Sequence, residues 1–197
     1  MASLFDTLEI QAFRSGIEAR TKESRLWFQR KVKGLGAVNR TALMKDDALQ
    51  SVSKPKIGDM VMYFYDPKLK ETLPFYDRFP LTIMVQPAPG GFYGLNLHYL
   101  SPSIRAVFLD RLMQLAPAKV TETTRITRMK YNLLKGSASL KEFKPCFKHY
   151  LMSHVTSSIV KVGMPEWEIA VFLPTQQFAK KSSKYVWADS RAQYKVT

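Results

Sequence analysis

At 197 residues, with 30 Lys and Arg against 16 Asp and Glu, the chain carries a formal net charge of +14 and a pI near 9.9. A chain of this size buries roughly 70% of its unfolded surface, enough for one core, and 46% hydrophobic with 23% charged residues excludes wholesale disorder. The lone thiol, Cys146, excludes an internal disulfide and a multi-cysteine zinc site, and the opening Met1-Ala-Ser-Leu-Phe-Asp lacks the basic and apolar regions of a signal peptide.

Residues 4–33 predict one long helix. Leu4, Leu8, Phe13 and Ile17 fall near one stripe, no proline intervenes, and Asp6, Glu9, Lys31 and Lys33 suit the helix dipole. Gly34 and Gly36 supply stop signals. Residues 37–56 read as a linker with one short helical turn. Strands are expected at Met60 to Tyr65, Leu81 to Val85 and Phe92 to Tyr99, the last two facing each other across Pro87-Ala-Pro-Gly-Gly91. The run Phe79 to Ile104 lacks charge, but its prolines and glycines argue against a membrane span.

Ser101-Pro102 is a helix start, and Ile104, Val107, Phe108, Leu112 and Leu115 form the expected apolar stripe. Further helices are expected at Thr121 to Leu134 and Phe143 to Val155, and a strand at Val155 to Val162. Met164 to Pro174 fits either a short helix or a strand. The tail from Thr175 is polar and basic. The fold class is therefore α+β, with a long N-terminal helix or arm, a small antiparallel sheet or partial barrel, and several helices on its C-terminal side. The organisation expected is a basic helical arm and linker at 1–53, an α+β core at 54–178, and a basic tail at 179–197.

Charge is segregated. The net is +7 from Arg14 to Lys45, +1 from Lys56 to Glu122, +6 from Arg125 to Lys148 and +4 from Lys180 onward. A neutral body with cationic ends suits a polyanion or an acidic protein surface, while a solvated face is the plain alternative. Aromatics lie among the cations: Trp27 and Phe28 between Arg25 and Arg30, and Tyr185, Trp187 and Tyr194 among Lys184, Arg191 and Lys195. Such interleaving suits stacking on nucleic-acid ends or anchoring to a partner. The candidate contact residues are Arg14, Arg20, Arg25, Arg30, Lys31, Lys33, Lys180, Lys181, Lys184, Trp187 and Arg191.

No nucleotide-binding glycine motif is present. Cys146, His149 and His154 do not share one helical face and lack a fourth ligand, so core packing and hydrogen bonding explain them better than zinc. Asp59, Asp66, Glu71 and Asp77 form a magnesium nuclease site only if they converge. No catalytic residue, metal set, cofactor or small-molecule substrate is expected.

Lys56-Ile-Gly-Asp-Met, Tyr65-Asp-Pro-Lys, Leu73-Pro-Phe-Tyr-Asp-Arg-Phe-Pro80 and Gly91-Phe-Tyr-Gly-Leu-Asn-Leu-His-Tyr-Leu100 resemble small basic proteins of T4-like tailed phages. Phe143-Lys-Pro-Cys-Phe-Lys-His-Tyr-Leu and Val186-Trp-Ala-Asp-Ser-Arg191 are similar to the same group. The resemblance implies a virion-associated, non-enzymatic protein. Its first form is a structural component of neck, tail or baseplate that contacts other virion proteins or double-stranded DNA. The alternatives are a DNA-binding protein at the end of the packaged genome and, third, a magnesium-dependent nuclease.

Overall fold

The computed structural model describes residues 3–114 and 141–195. The N-terminal segment is two helices, α1 (Leu4–Arg14) and α2 (Lys22–Lys33), followed by a single turn, α3 (Arg40–Leu43). This corrects the single long helix expected over 4–33. After Arg14 the chain turns at Gly16, whose φ of 70° closes the helix end. A second helix nucleates at Thr21, whose hydroxyl accepts from the Ser24 N–H while the Ser24 hydroxyl accepts from the Thr21 N–H. Both helices dock: Phe5, Leu8 and Ala12 of α1 and Phe28 and Val32 of α2 lie in the main core.

Among the described residues eight strands follow, in two sheets. The larger is antiparallel, in the order β1 (Gln50–Val52), β7 (Ile159–Val162), β2 (Met60–Met62), β4 (Leu81–Ala88), β5 (Gly91–Asn96), β6 (Phe147–Leu151). Among the described residues it is open, with β1 and β6 as its edges. Period-two alternation gives it two dry faces. Met60, Met62, Leu81, Ile83, Leu95, Val160 and Val162 enter the main core. Val61, Tyr63, Met84, Phe92, Tyr150 and Ile159 form a smaller aromatic layer on the other side. The β4–β5 hairpin turns beyond Ala88, with Gly90 at φ 71°.

The expected helix over Phe143 to Val155 is not formed. A 3-10 segment, Lys141–Cys146, contains Pro145 and gives way to strand β6, which pairs with β5 from Leu95↔Phe147 to Gly91↔Leu151. Pairing along an exposed sheet edge outweighs the helical spacing of Phe143 and Phe147. Phe143 instead packs on Phe108, and Phe147 stacks on Tyr93 with centroids 5.3 Å apart.

Helix α4 (Pro102–Gln114) begins where expected; among its described side chains Phe108 of the expected stripe is buried, together with Arg105 and Leu109, Ile104 is half-buried and Val107 is exposed, while the side chains of Leu112 and Leu115 lie outside the described residues. The helix expected at Thr121 to Leu134 lies outside the described residues. The segment Met164 to Pro174 contains the short helix α5 (Trp167–Ala170). The tail is ordered as well. Strand β8 (Phe178–Ala179) pairs with β3 (Tyr76–Asp77), and helix α6 (Ser183–Lys195) follows. The uncharged run Phe79 to Ile104 holds the β4–β5 hairpin and the start of α4; no helix among the described residues is long and apolar enough to cross a membrane.

Candidate nucleic-acid interface

The two cationic ends of the chain meet at one indole. Trp187, on α6, is held by its Nε1–H, which donates to the His98 carbonyl at 2.9 Å. A small cavity of about 150 Å³ has Trp187 on one wall, Gln29 and Lys33 of α2 on another, and Arg105 and Gln176 besides. An adjoining shallow hollow of about 470 Å³ is lined by Trp187, Lys184, Ala188, Arg191, Ala192 and Ser101. Lys184, Ala188, Arg191 and Ala192 recur at helical spacing, so α6 presents one solvated basic stripe. Its opposite face buries Val186 and Ser190.

The start of α6 is fixed by aromatic contacts. Phe75 lies 6.0 Å from Tyr99, 6.5 Å from Phe178 and 6.2 Å from Tyr185, centroid to centroid. Lys180, at φ 69°, anchors the turn before it. Its ammonium donates to the carbonyls of Lys70, Glu71 and Leu73 at 2.7, 3.0 and 2.9 Å.

Not all the cations named from sequence are open. Arg25 is buried between Glu168, at 3.1 Å, and Asp110. Ser24 also donates to Glu168, and so does the Arg20 backbone N–H at 3.0 Å. Arg25 is therefore a clamp of α2 onto α5 and α4. Arg14, Arg20, Arg30, Lys31, Lys33, Lys181, Lys184 and Arg191 have exposed side chains. Of these, Arg30 donates to the Leu26 carbonyl, Lys31 lies 5.6 Å from the Trp27 ring and Lys181 lies 4.7 Å from the Tyr185 ring. Only Lys33, Lys184 and Arg191 share the Trp187 hollows.

Two larger hollows have the wrong character for phosphate. One of about 860 Å³ carries Glu9, Glu18 and Glu168 against the single cation Arg20, and Glu9 is raised above its ordinary value by partial burial and by Glu166. The other, of about 630 Å³, is mainly apolar, with Asp46 and Asp47 against Lys45 in its lining.

Beneath the Trp187 face lies a buried polar row. Asp77 Oδ2 is 2.6 Å from His98 Nδ1, and His98 Nε2 is 3.1 Å from the Thr175 hydroxyl. The Asp77 carboxylate also accepts from Asn96 and from the Phe79 and Gln177 backbone N–H groups. Burial alone would raise the Asp77 carboxyl; His98 and the backbone donors outweigh it and hold it below its ordinary value. Burial keeps the His98 imidazole below its ordinary value against the pull of Asp77. An ionised carboxylate only accepts, so Nδ1 carries the proton and Nε2 accepts from Thr175. The row resembles a nucleophile–base–acid triad, yet all three side chains are sealed from solvent. Their hydrogen bonds tie strand β3 to His98 and Thr175.

Three of the four carboxylates weighed as a metal site have separate partners, and the fourth, Glu71, is exposed. Asp59 pairs with Lys161, Asp66 with Lys70 and Asp77 with His98. No group of three potential metal ligands occurs among the described residues. Cys146 is buried and its thiol pushed up to about 12, while His149 and His154 bond the carbonyls of Pro89 and Asp66.

Sequence reasoning missed Arg105 and Gln176. The signal for Arg105 was its spacing: it precedes Phe108 and Leu109 by three and four residues, the positions of one helical stripe.

No curated protein and no solved structure matches the chain. A family profile described as phage T4 terminal DNA protecting protein matches residues 6–194, which includes α2, the sheet and nearly all of α6. By that match over almost its whole length, the chain belongs to the phage T4 terminal DNA protecting protein family.

Proposed function

We propose that the protein binds the end of double-stranded DNA, without catalysis, through the face where α2 and α6 converge on Trp187. The observation that carries the reading is that convergence. Lys33 lies near the start of the chain and Lys184 and Arg191 near its end, yet all three border hollows that share one aromatic wall. Cations neutralise backbone phosphates, and an indole face offers a surface to a terminal base pair that has lost its stacking neighbour. Interior base pairs present no such face, so the arrangement favours termini over continuous duplex.

The family description favours this genome-end reading over a component of neck, tail or baseplate. A protein held at the genome end would travel in the virion. Contact with other virion proteins has its own observation: Phe13 is 83% exposed and Ile10, one turn back on α1, is 49% exposed.

The test is competition between a linear duplex and the same duplex closed by hairpins at both ends. The linear form should bind more tightly, and affinity for both should fall steeply with salt. Equal affinity for the two forms would contradict end recognition.

A further inference from the structure

The hollow of about 860 Å³ lies where α1, the turn at residues 15–21 and the start of α2 meet Pro165 and Glu168. Its apolar wall is Ala12, Phe13, Ile17, Phe28 and Pro165. That wall continues outward: Phe13 is 83% exposed, and Ile10, one turn back on α1, is 49% exposed. A contiguous apolar surface of this kind, rimmed by charge, marks a place that a partner covers.

The charge here is opposite to that of the molecule. Glu9 and Glu18 line the hollow, with Arg20 as the cation among its lining residues. Burial first, then Glu166 and Asp6, hold the Glu9 carboxyl above its ordinary value. Glu168, in the floor, is already answered by Arg25 and Ser24. Glu9, Glu18 and Glu166 form no ion pair among the described residues, although the chain has 30 Lys and Arg to 16 Asp and Glu. A cation arriving from outside relieves the repulsion within this group, whereas a phosphate adds to it. The floor is preformed, because Arg20 is held at φ 64° with its backbone N–H on Glu168. A preformed surface spends little ordering on its occupant.

We propose that this hollow docks a basic, amphipathic segment of another protein, whose apolar side chains cover Phe13 and Ile17 and whose Lys or Arg side chains meet Glu9, Glu18 and Glu166. Apolar anchors in a groove with charge at its rim are a recurring mode of peptide recognition. The occupant is a polypeptide rather than a small cation, because the apolar surface runs past the hollow to Ile10. The proposal rests on the reading of Ile10 and Phe13 as a protein contact and is separate from end binding. The hollow shares no lining residue with the two at Trp187, which leaves that face open to DNA.

The experiment follows the amide chemical shifts of the full-length, isotope-labelled protein during titration with synthetic peptides of one length. The first peptide carries Leu at helical spacing and Lys between; a second replaces every Leu by Ser, and a third every Lys by Glu. The Lys–Leu peptide should shift amides between Glu9 and Thr21 saturably and bind about tenfold tighter than either of the others. Glu9→Gln with Glu18→Gln should cut that affinity several-fold. Phe13→Ser, at an exposed position, supplies a second variant with the same expected direction. Equal binding of the Lys–Leu and Glu–Leu peptides at these amides would overturn the charge assignment and leave an apolar protein contact standing. Equal binding of the Lys–Leu and Lys–Ser peptides would overturn the apolar seat. An affinity undiminished in both variants would overturn the placement in this hollow. Spermidine shifting the same amides at equal concentration would overturn the choice of a polypeptide. No saturable shift with any peptide would overturn the protein contact together with the proposal.

Discussion

Glu168 is 2% exposed and answers Arg25, Ser24 and the Arg20 backbone at once, so it joins α5 to α2 and to the turn that precedes it. Removing its charge leaves Arg25 buried with Asp110 alone. Glu168→Gln should lower stability by about 2–3 kcal/mol, read from urea denaturation. Arg30→Gln, at an exposed cation, should change it by less than about 0.5 kcal/mol. Similar small losses in both would remove the clamp. The Asp77–His98 pair sets a pH dependence. Both groups have folded values below their ordinary ones. The unfolded chain therefore takes up a proton at His98 as pH falls past about 6.5, and at Asp77 near pH 4, before the folded chain does. This stability is complete above about pH 6.5 and drains on acidification. The urea midpoint should drop between pH 7.5 and 5.5, and His98→Asn should flatten that drop while lowering the plateau. A midpoint constant over that range in wild type would contradict the assignment. None of this was legible in sequence: Asp77, His98 and Thr175 are far apart along the chain, and no spacing rule joins them. Arg25 read as one more surface cation because its carboxylate partners lie in distant helices.

Elements were legible where local chemistry and tertiary context agree. The β4–β5 hairpin follows from two uncharged, largely apolar runs either side of a proline–glycine turn, and α4 from Ser101-Pro102. They were illegible where context wins. The segment Phe143 to Leu151 carries helical spacing, with Pro145 where a first turn would be, but edge pairing with β5 makes Phe147–Leu151 a strand. The close approach is visible at Gly91, where a Cβ would stand 1.8 Å from the Tyr150 carbonyl oxygen. Gly91→Ala should destabilise the fold by about 3 kcal/mol and should release the amides of Phe147 to Leu151 to faster hydrogen exchange. Unchanged exchange there would contradict the β5–β6 register. The break between α1 and α2 was written in the chain, as Ser15-Gly16 and then Thr21-x-x-Ser24, but the absence of proline and the continuing stripe concealed it. Helix α6 was hidden by polarity. Among its described side chains Val186 and Ser190 are the buried ones, with Trp187 beside them half-buried, too few to stand out in a basic tail.

The distribution of charge survives at the scale of the molecule, although the image of free extremities changes. α1, α2 and α6 all pack on the body, and Arg25 and Lys180 are drawn into its framework. Lys33, Lys184 and Arg191 border one surface around Trp187, and that surface is the central claim. Its most direct test is an exonuclease time course on linear duplex, with wild type against the Lys33→Gln, Lys184→Gln, Arg191→Gln triple variant. All three side chains are exposed, so the variant should fold like wild type. Wild type should delay digestion from the ends, and the variant should lose most of that delay while its thermal midpoint stays within a few degrees. Full protection by the variant, or none by wild type, would contradict the account.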